Sequence, residues 1–263
     1  MSKNESALAE FIDVCHTSLC SECTPQAGSA RSYLRKRGLK RDSVLKHKIG
    51  FCSSQTRIPR EISSFGKSDG SSNYSHFIKG RIIVPVFSEF GHPVGLATRK
   101  PSSEPGNTWW NLPSPFKKGE HLYLLSVSRE KIFENNKIYL VEGYIDAIML
   151  YQKGLHVVCG LMGTILTPRQ IGLIQRYCDS VCLCMDSDKN KAGQNAQEQS
   201  VYELSENGFS GKISVIDGLP VGEDPDVYVN KNCLNDFLFL ERLLSDSEIK
   251  KICRCVRTRQ RKQ

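Results

Sequence analysis

The stretch Lys137-Ile-Tyr-Leu-Val-Glu-Gly-Tyr-Ile-Asp146 sets the fold of this chain. A short run of apolar and β-branched residues passes directly into a helix-forming segment, which is how a βαβ unit begins. Three further strands follow in the same rhythm, so that strands are predicted at 137–141, 155–159, 180–185 and 212–216, with helices at 144–153, 167–177 and 192–206. Strict alternation of strands and helices predicts an α/β domain, in which a parallel sheet has helices on both faces.

Acidic residues follow three of the four predicted strands. Glu142 comes directly after the first strand, Asp186 and Asp188 follow the third, and Gly222-Glu-Asp-Pro-Asp226 follows the fourth. Asp146 lies one helical turn beyond Glu142 and can face the same crevice. Parallel sheets bind ligands at the carboxyl ends of their strands, and carboxylates without a nearby His or Cys suit Mg²⁺ or Mn²⁺. The pattern predicts a metal site for phosphoryl transfer; the alternative is that these acids only cap helices and turns.

The residues before 131 follow a different pattern. Helices are predicted at 6–24 and 30–37 with a break at Pro25 to Gly28, and a β-hairpin is predicted at 81–87 and 93–99. Farther along, Trp109-Trp110-Asn111 precedes Phe116-Lys-Lys-Gly119. Aromatic rings beside lysines suit base stacking next to phosphate contacts, although tryptophans more often belong to a core.

The net charge of +8 is unevenly spread along the chain. It is +6 over residues 1–60, +2 over 61–130, −7 over 131–249 and +7 over 250–263. A basic front and tail predict a polyanionic partner, and the acidic middle predicts a separate site for cations. We expect the tail to be a disordered, salt-sensitive tether for DNA.

Eleven scattered cysteines without an apolar leader predict reduced thiols and a cytoplasmic protein with no membrane contact. Cys15, Cys20 and Cys23 resemble a zinc-binding spacing. Cys15, however, lies on an apolar stripe of helical period, and only Cys20-x-x-Cys23 forms a clean ligand pair. We therefore do not expect zinc.

The motifs resemble the Toprim domain, and more closely the RNA polymerase core of bacterial DnaG-type primases. In the second half the resemblance rests on Leu140-Val-Glu-Gly-Tyr-Ile-Asp-Ala147, Gly163-Thr164, Met185-Asp-Ser-Asp188 and 222–226. Upstream it rests on Tyr33 to Gly38, Ile49 to Phe51, Gly80 to Pro85, Gly95 to Arg99 and Phe116 to Tyr123. Together these motifs extend over residues 30 to 230, roughly.

The resemblance implies a Toprim-type parallel sheet with flanking helices, preceded by a smaller mixed α+β basic subdomain. The implied domains are a nucleic-acid-binding and nucleotide-binding subdomain over 1–130, a Toprim catalytic domain over 131–235, and a short helix with the basic tail over 236–263.

The implied activity is that of a DNA primase, which synthesises short RNA primers on single-stranded DNA from ribonucleoside triphosphates. The resemblance makes Glu142 the metal-linked acid/base residue and Asp186 and Asp188 the principal metal ligands, with Asp224 and Asp226 adding further contacts to the metal or to nucleotide phosphates. It implies nucleic-acid or nucleotide contacts for Arg81, Arg99, Lys100, Asn111, Lys117, Lys118, Asp146, Gly163 and Thr164.

Members of the family also carry an N-terminal zinc-binding domain and a C-terminal domain that docks on the replicative helicase. Neither pattern is found in this sequence, so we expect a replicative helicase or a separate zinc-domain protein as partner. Two alternatives remain: another Toprim enzyme such as a nuclease, and a non-catalytic Toprim protein that binds nucleic acid.

Overall fold

The computed structural model describes residues 3–63, 74–102, 109–113, 116–187 and 191–261. The chain divides into two compact units, residues 1–117 and 118–263.

The first unit contains a four-stranded antiparallel sheet in the order β1-β2-β3-β4. Its elements are α1 (Lys3–Ser21), α2 (Pro25–Lys36), α3 (Arg41–Lys46), β1 (Gly50–Cys52), α4 (Arg60–Ser63), a 3-10 helix (Tyr74–Phe77), β2 (Arg81–Phe87), β3 (Pro93–Arg99) and β4 (Trp110–Asn111). The predicted hairpin is confirmed, with Val84 opposite Ala97.

Helix α2 begins at Pro25, so the predicted break over Pro25 to Gly28 is wrong. Proline fits the first turn of a helix because its missing N–H would have no intrahelical partner there. The side chain of Thr24 caps the helix by accepting the Ala27 N–H at 3.2 Å. Helix α1 ends at Ser21, earlier than predicted.

The apolar stripe of α1 packs into the core of the first unit, as predicted. Its buried members are Leu8, Phe11, Ile12, Cys15 and Leu19. A Cβ on Gly50 would lie 2.7 Å from the carbonyl carbon of Cys15, so α1 and β1 can approach this closely only because residue 50 is glycine. Cys15 is thus a core residue.

The second unit contains a five-stranded sheet in the order β6-β5-β7-β8-β9. Its elements are a 3-10 helix (Lys118–Glu120), α5 (Leu125–Asn135), β5 (Ile138–Val141), α6 (Tyr144–Gln152), β6 (Val158–Gly160), α7 (Pro168–Gln175), β7 (Ser180–Cys184), α8 (Ala192–Glu206), β8 (Lys212–Ile216), α9 (Pro225–Lys231), α10 (Leu234–Leu238), β9 (Glu241–Leu243) and α11 (Asp246–Gln260). Strands β5 to β8 are parallel, which confirms the predicted α/β fold class. The antiparallel strand β9 was not predicted, because three residues are too few to show a period.

The division between the units lies ahead of the predicted domain boundary at residue 130, which falls inside α5. Tyr123 forms a β-bridge with Gly160, and the Ser128 hydroxyl donates to the Val158 carbonyl at 3.1 Å. Residues 118–130 therefore pack with the parallel sheet, although their sequence lacks the strand–helix alternation.

The basic tail is helical, which corrects the prediction of a disordered tether. Ser245 begins α11 with a capping box to Glu248, and the helix buries Cys253 and Val256. Partly buried Ile249 and Ile252 pack against the core of the second unit. Within the described ranges, no helix combines the length and apolar character needed to cross a bilayer.

Candidate active site

Glu142 and Asp186 leave neighbouring strands at the same edge of the parallel sheet. Val141, the last residue of β5, lies opposite Cys184, the last residue of β7. Just beyond these strand ends, the backbone N–H of Asp186 donates to Oε1 of Glu142 at 3.3 Å. Two acids that are far apart in sequence are thus held in one place, as predicted from their positions after strands.

The first turn of α8 packs closely against the loop that carries Asp186. A Cβ on Gly193 would lie only 1.8 Å from the carbonyl oxygen of Asp186. Gly193 was not predicted as a site residue. The available signal was a glycine near the start of a helix, where it costs about 1 kcal/mol relative to alanine.

A second acidic group consists of Asp146, Asp224 and Asp226. The backbone N–H of Asp226 donates to Oδ1 of Asp146 at 3.2 Å. Asp146 is 8% exposed and Asp226 only 2%. Burial, followed by the negative charges of Asp226 and Asp224, raises the pKa of Asp146 to about 8. Burial and the neighbouring negative charges therefore favour the protonated form of the Asp146 carboxyl.

The loop after β8 is fastened to the loop after β7. The Gly222 N–H is hydrogen-bonded to the Ser187 carbonyl, and the Ser187 hydroxyl donates to the Leu219 carbonyl at 3.2 Å. These bonds fix the start of the segment that carries Asp224 and Asp226 beside the residue that follows Asp186.

A complete metal-ligand set is not found within the described ranges, where no group of three or more His, Cys, Asp or Glu side chains is placed to hold an ion. Asp188, predicted as a ligand beside Asp186, lies outside the described residues. The metal-ligand roles of Glu142, Asp186, Asp188, Asp224 and Asp226 therefore stay predictions.

Lys118 lies beside the loop that follows β6. A Cβ on Gly163 would be 3.2 Å from the Lys118 Nζ. The Thr167 hydroxyl donates to the Gly119 carbonyl at 2.5 Å and ties the 3-10 helix of Lys118 to the start of α7. Thr164 is exposed on the same loop. The structure thus brings predicted residues Lys118, Gly163 and Thr164 together.

In the first unit, Arg81 and Arg99 lie at the same end of the β2–β3 hairpin, since Ile82 pairs with Arg99. Arg81 Nη1 donates to the Thr98 hydroxyl at 3.1 Å. The Nε atoms of both arginines are buried, and neither has a hydrogen-bond partner among the residues that the structure describes. This paired arrangement suits an anionic ligand at the hairpin end.

The two tryptophans differ in their surroundings. Trp110 stacks on Phe77 with ring centroids 5.1 Å apart and planes inclined by 6°, and Tyr74 lies 5.6 Å away. Trp110 therefore belongs to an aromatic cluster within the protein, as the alternative to base stacking predicted. The Arg99 guanidinium lies over the Trp109 ring at 5.5 Å from its centroid. Of the other predicted contacts, Asn111 pairs with Ala97 in the sheet, and Lys100 and Lys117 are exposed.

Comparison with known proteins agrees with this architecture. Residues 19–129 match the model of the DNA primase catalytic core, N-terminal domain, and residues 139–229 match the Toprim-like family model. The chain belongs to the DnaG-type primase family. The resemblance inferred from the motifs is confirmed.

A DNA primase from Clostridium acetobutylicum is 33% identical over 230 residues, which are 80% of this chain and 37% of that protein. A crystal structure of the Aquifex aeolicus primase (zinc binding and RNA polymerase domains) has a TM-score of 0.77 at 24% identity, over 92% of this chain and 62% of that one. A DnaG primase catalytic domain bound to ssDNA has a TM-score of 0.69 at 26% identity, over 90% of this chain and 81% of that one. The chain spans about a third of the length of the curated relatives it matches.

The primase-family residues thus fall into separate groups in the structure. Glu142 lies with Asp186, Asp146 lies with Asp224 and Asp226, and Lys118 lies with Gly163. The hairpin group around Arg81 and Arg99 belongs to the other compact unit.

Proposed function

We propose that this chain is a DNA primase, a nucleotidyltransferase that synthesises short RNA primers on single-stranded DNA during replication. The observation that carries the proposal is the contact between Asp186 and Glu142 at the carboxyl edge of a parallel sheet, in a chain of the DnaG-type family. A related structure, a DnaG primase catalytic domain bound to ssDNA, supports single-stranded DNA as the template.

A divalent cation fits the carboxylate edge by the chemistry of its donors. Glu142 and Asp186 offer oxygen atoms alone, and carboxylate oxygens are the ligands that Mg²⁺ and Mn²⁺ prefer. Glu142, Asp186 and Asp188 are the residues that would hold it. When bound, such an ion offsets the negative charge of the nucleoside triphosphate and of the leaving pyrophosphate.

The proposed reaction joins two nucleotides. The 3′-hydroxyl oxygen of the growing primer bonds to the α-phosphorus of a ribonucleoside triphosphate, and the bond from that phosphorus to the bridging oxygen breaks. Glu142 accepts the hydroxyl proton, and pyrophosphate leaves. Lys118, beside Gly163, is suited to binding the triphosphate.

Template binding is assigned to the basic residues of the first unit. Arg81 and Arg99 at the hairpin end would contact backbone phosphates, together with Asn111, Lys100 and Lys117. A replicative helicase or a separate zinc-domain protein would be the protein partner, in the cytoplasm of a bacterium or of a phage-infected cell.

The test is to incubate the purified chain with single-stranded DNA, the four ribonucleotides and Mg²⁺ or Mn²⁺. We expect oligoribonucleotides from the wild type, none from Asp186→Ala, and normal amounts from Glu130→Gln, which removes an exposed acid of α5. Cleaved DNA would show a nuclease instead. DNA binding with no product, unchanged in Asp186→Ala, would show a non-catalytic binding protein.

A further inference from the structure

Helix α11 lies antiparallel along α8. Arg257 Nη2 pairs with Glu206, at the end of α8, at 2.5 Å. Arg259, two residues farther along α11, pairs with Glu198 at 2.5 Å and donates to Asn195 at 3.2 Å. The carboxyl-terminal part of α11 therefore lies beside the amino-terminal half of α8.

A groove of about 430 Å³ runs between the two helices. Its cationic lining is supplied by Lys250, Arg254, Arg257 and Arg261, and among the residues that the structure describes no acidic side chain lines it. Glu206 neutralises Arg257. In the part of the chain that the structure describes, no carboxylate forms an ion pair with Lys250, Arg254 or Arg261. Three uncompensated cations thus face one narrow groove.

The groove meets α8 at Ser205, near the carboxyl end of that helix, and its cations continue along α11 to Arg261. Helix α8 starts where Gly193 abuts the Asp186 carbonyl, and α11 follows α8 toward that start. A helix of 15 residues is about 22 Å long. The cations of the groove lie between Lys250 and Arg261, so the basic surface extends over about 16 Å along one flank of the Toprim unit.

We propose that the groove between α8 and α11 binds the phosphate backbone of single-stranded nucleic acid and guides that strand to or from the acidic edge. That guiding role rests on the proposed primase function, whereas the binding itself does not. A row of separate cations suits a polyanion better than a small anion, because each phosphate along the strand meets one cation and releases counterions.

An anionic membrane is the less suitable partner for this basic helix. Helices that lie on a bilayer insert an apolar face, but α11 packs its apolar face onto the protein. Cys253 and Val256 are buried, and Ile249 and Ile252 pack against the core. Only the charged face of α11 is available to a partner.

The experiment compares two triple variants of the full chain by fluorescence anisotropy with labelled oligo(dT), between 0.05 and about 0.3 M salt. The groove variant carries K250A, R254A and R261A. The charge-matched control carries K131A in α5, K153A directly after α6 and R169A in α7, all in the same unit. Circular dichroism checks that both variants are folded.

We expect the groove variant to bind oligo(dT) at least tenfold more weakly at about 0.1 M salt. The slope of log K against log salt should become shallower by about 2, since each phosphate contact on a single strand contributes about 0.7. The control should bind within about twofold of the wild type.

Equal losses in the two triple variants, or an unchanged slope in the groove variant, would overturn the proposal. Groove-dependent binding to phosphatidylserine vesicles with no effect on oligo(dT) would overturn it in favour of a membrane. Primer synthesis is measured in parallel. If the wild type makes no primers but binds oligo(dT) through the groove, the proposed primase function is wrong and the groove proposal holds. If the wild type makes primers but its binding of oligo(dT) does not depend on the groove, the primase function holds and the groove proposal is wrong.

Discussion

The backbone N–H of Asp186 and the carboxylate of Glu142 meet at 3.3 Å, across the ends of two adjacent parallel strands. This bond positions the loop after β7 through a side chain from the loop after β5. Glu142 therefore combines a structural contact with the acid/base role that we propose for it, and the two can be separated by substitution.

Glu142→Gln keeps an oxygen that can accept the Asp186 N–H but removes the charge and the proton acceptor. We expect primer synthesis to fall at least a hundredfold, while the free energy of unfolding changes by less than about 1 kcal/mol. Primer synthesis and urea unfolding measure the two effects, with Glu130→Gln as control. Synthesis within threefold of wild type would refute the proposed role of Glu142.

Gly193→Ala should destabilise the second unit because the added Cβ would meet the Asp186 carbonyl oxygen at 1.8 Å. The backbone must shift, which should lower the free energy of unfolding by about 2 kcal/mol or more. Gly172→Ala is the matched control: its Cβ meets nothing within 4 Å on an exposed face of α7, so it should stabilise by up to about 1 kcal/mol. Equal effects in thermal unfolding of the two variants would contradict the close contact.

Glu241 anchors β9 through hydrogen bonds from three donor groups. Its carboxylate accepts from Lys137 Nζ, the Tyr139 hydroxyl and the Ser214 hydroxyl, each at 2.6 Å. Glu241→Ala leaves these partly buried donors without their acceptor and should destabilise by about 2 kcal/mol.

Glu134→Ala is the control for Glu241, since it breaks an exposed pair with Lys131 and should change stability by less than about 0.5 kcal/mol. Urea unfolding followed by circular dichroism measures both. If Glu241→Ala lowers the free energy of unfolding no more than Glu134→Ala does, the hydrogen bonds of Glu241 do not stabilise β9.

His47 should make the first unit acid-sensitive. It is 5% exposed, and burial, followed by the charge of Lys46, lowers its pKa to about 4. Below pH 6.5 the unfolded chain protonates this histidine while the folded state does not, so stability is lost as the pH falls toward 4. The loss amounts to about 3 kcal/mol.

Both tryptophans, Trp109 and Trp110, belong to the first unit, so their fluorescence in urea at pH 7 to about 4 monitors its unfolding. His47→Gln should flatten the pH dependence relative to wild type. His92→Gln, at an exposed turn, should leave it unchanged. If the wild type and His47→Gln lose the same stability on acidification, His47 is not the group responsible.

Local patterns in the sequence were sufficient for the parallel sheet and for the position of its acids. Alternating strands and helices specify the α/β class, and the rule that parallel strands end at one edge placed Glu142 near Asp186. The motifs were specific enough to identify the family. The start of α2 at Pro25 and the short strand β9 were not predicted. The first depends on a single cap and the second on a single strand partner, and neither produces a periodic pattern in the sequence.

By itself the sequence determined the order of the elements, the strand ends that carry acids, and the uneven distribution of charge. Only the tertiary structure decided which charges meet. The pKa of Asp146 is raised because folding buries it beside Asp224 and Asp226, and the basic tail is helical because α11 buries Cys253 and Val256 against the second unit, where Arg257 and Arg259 also pair with acids of α8. Both outcomes depend on side chains dozens of residues apart, and folding alone brings them into contact.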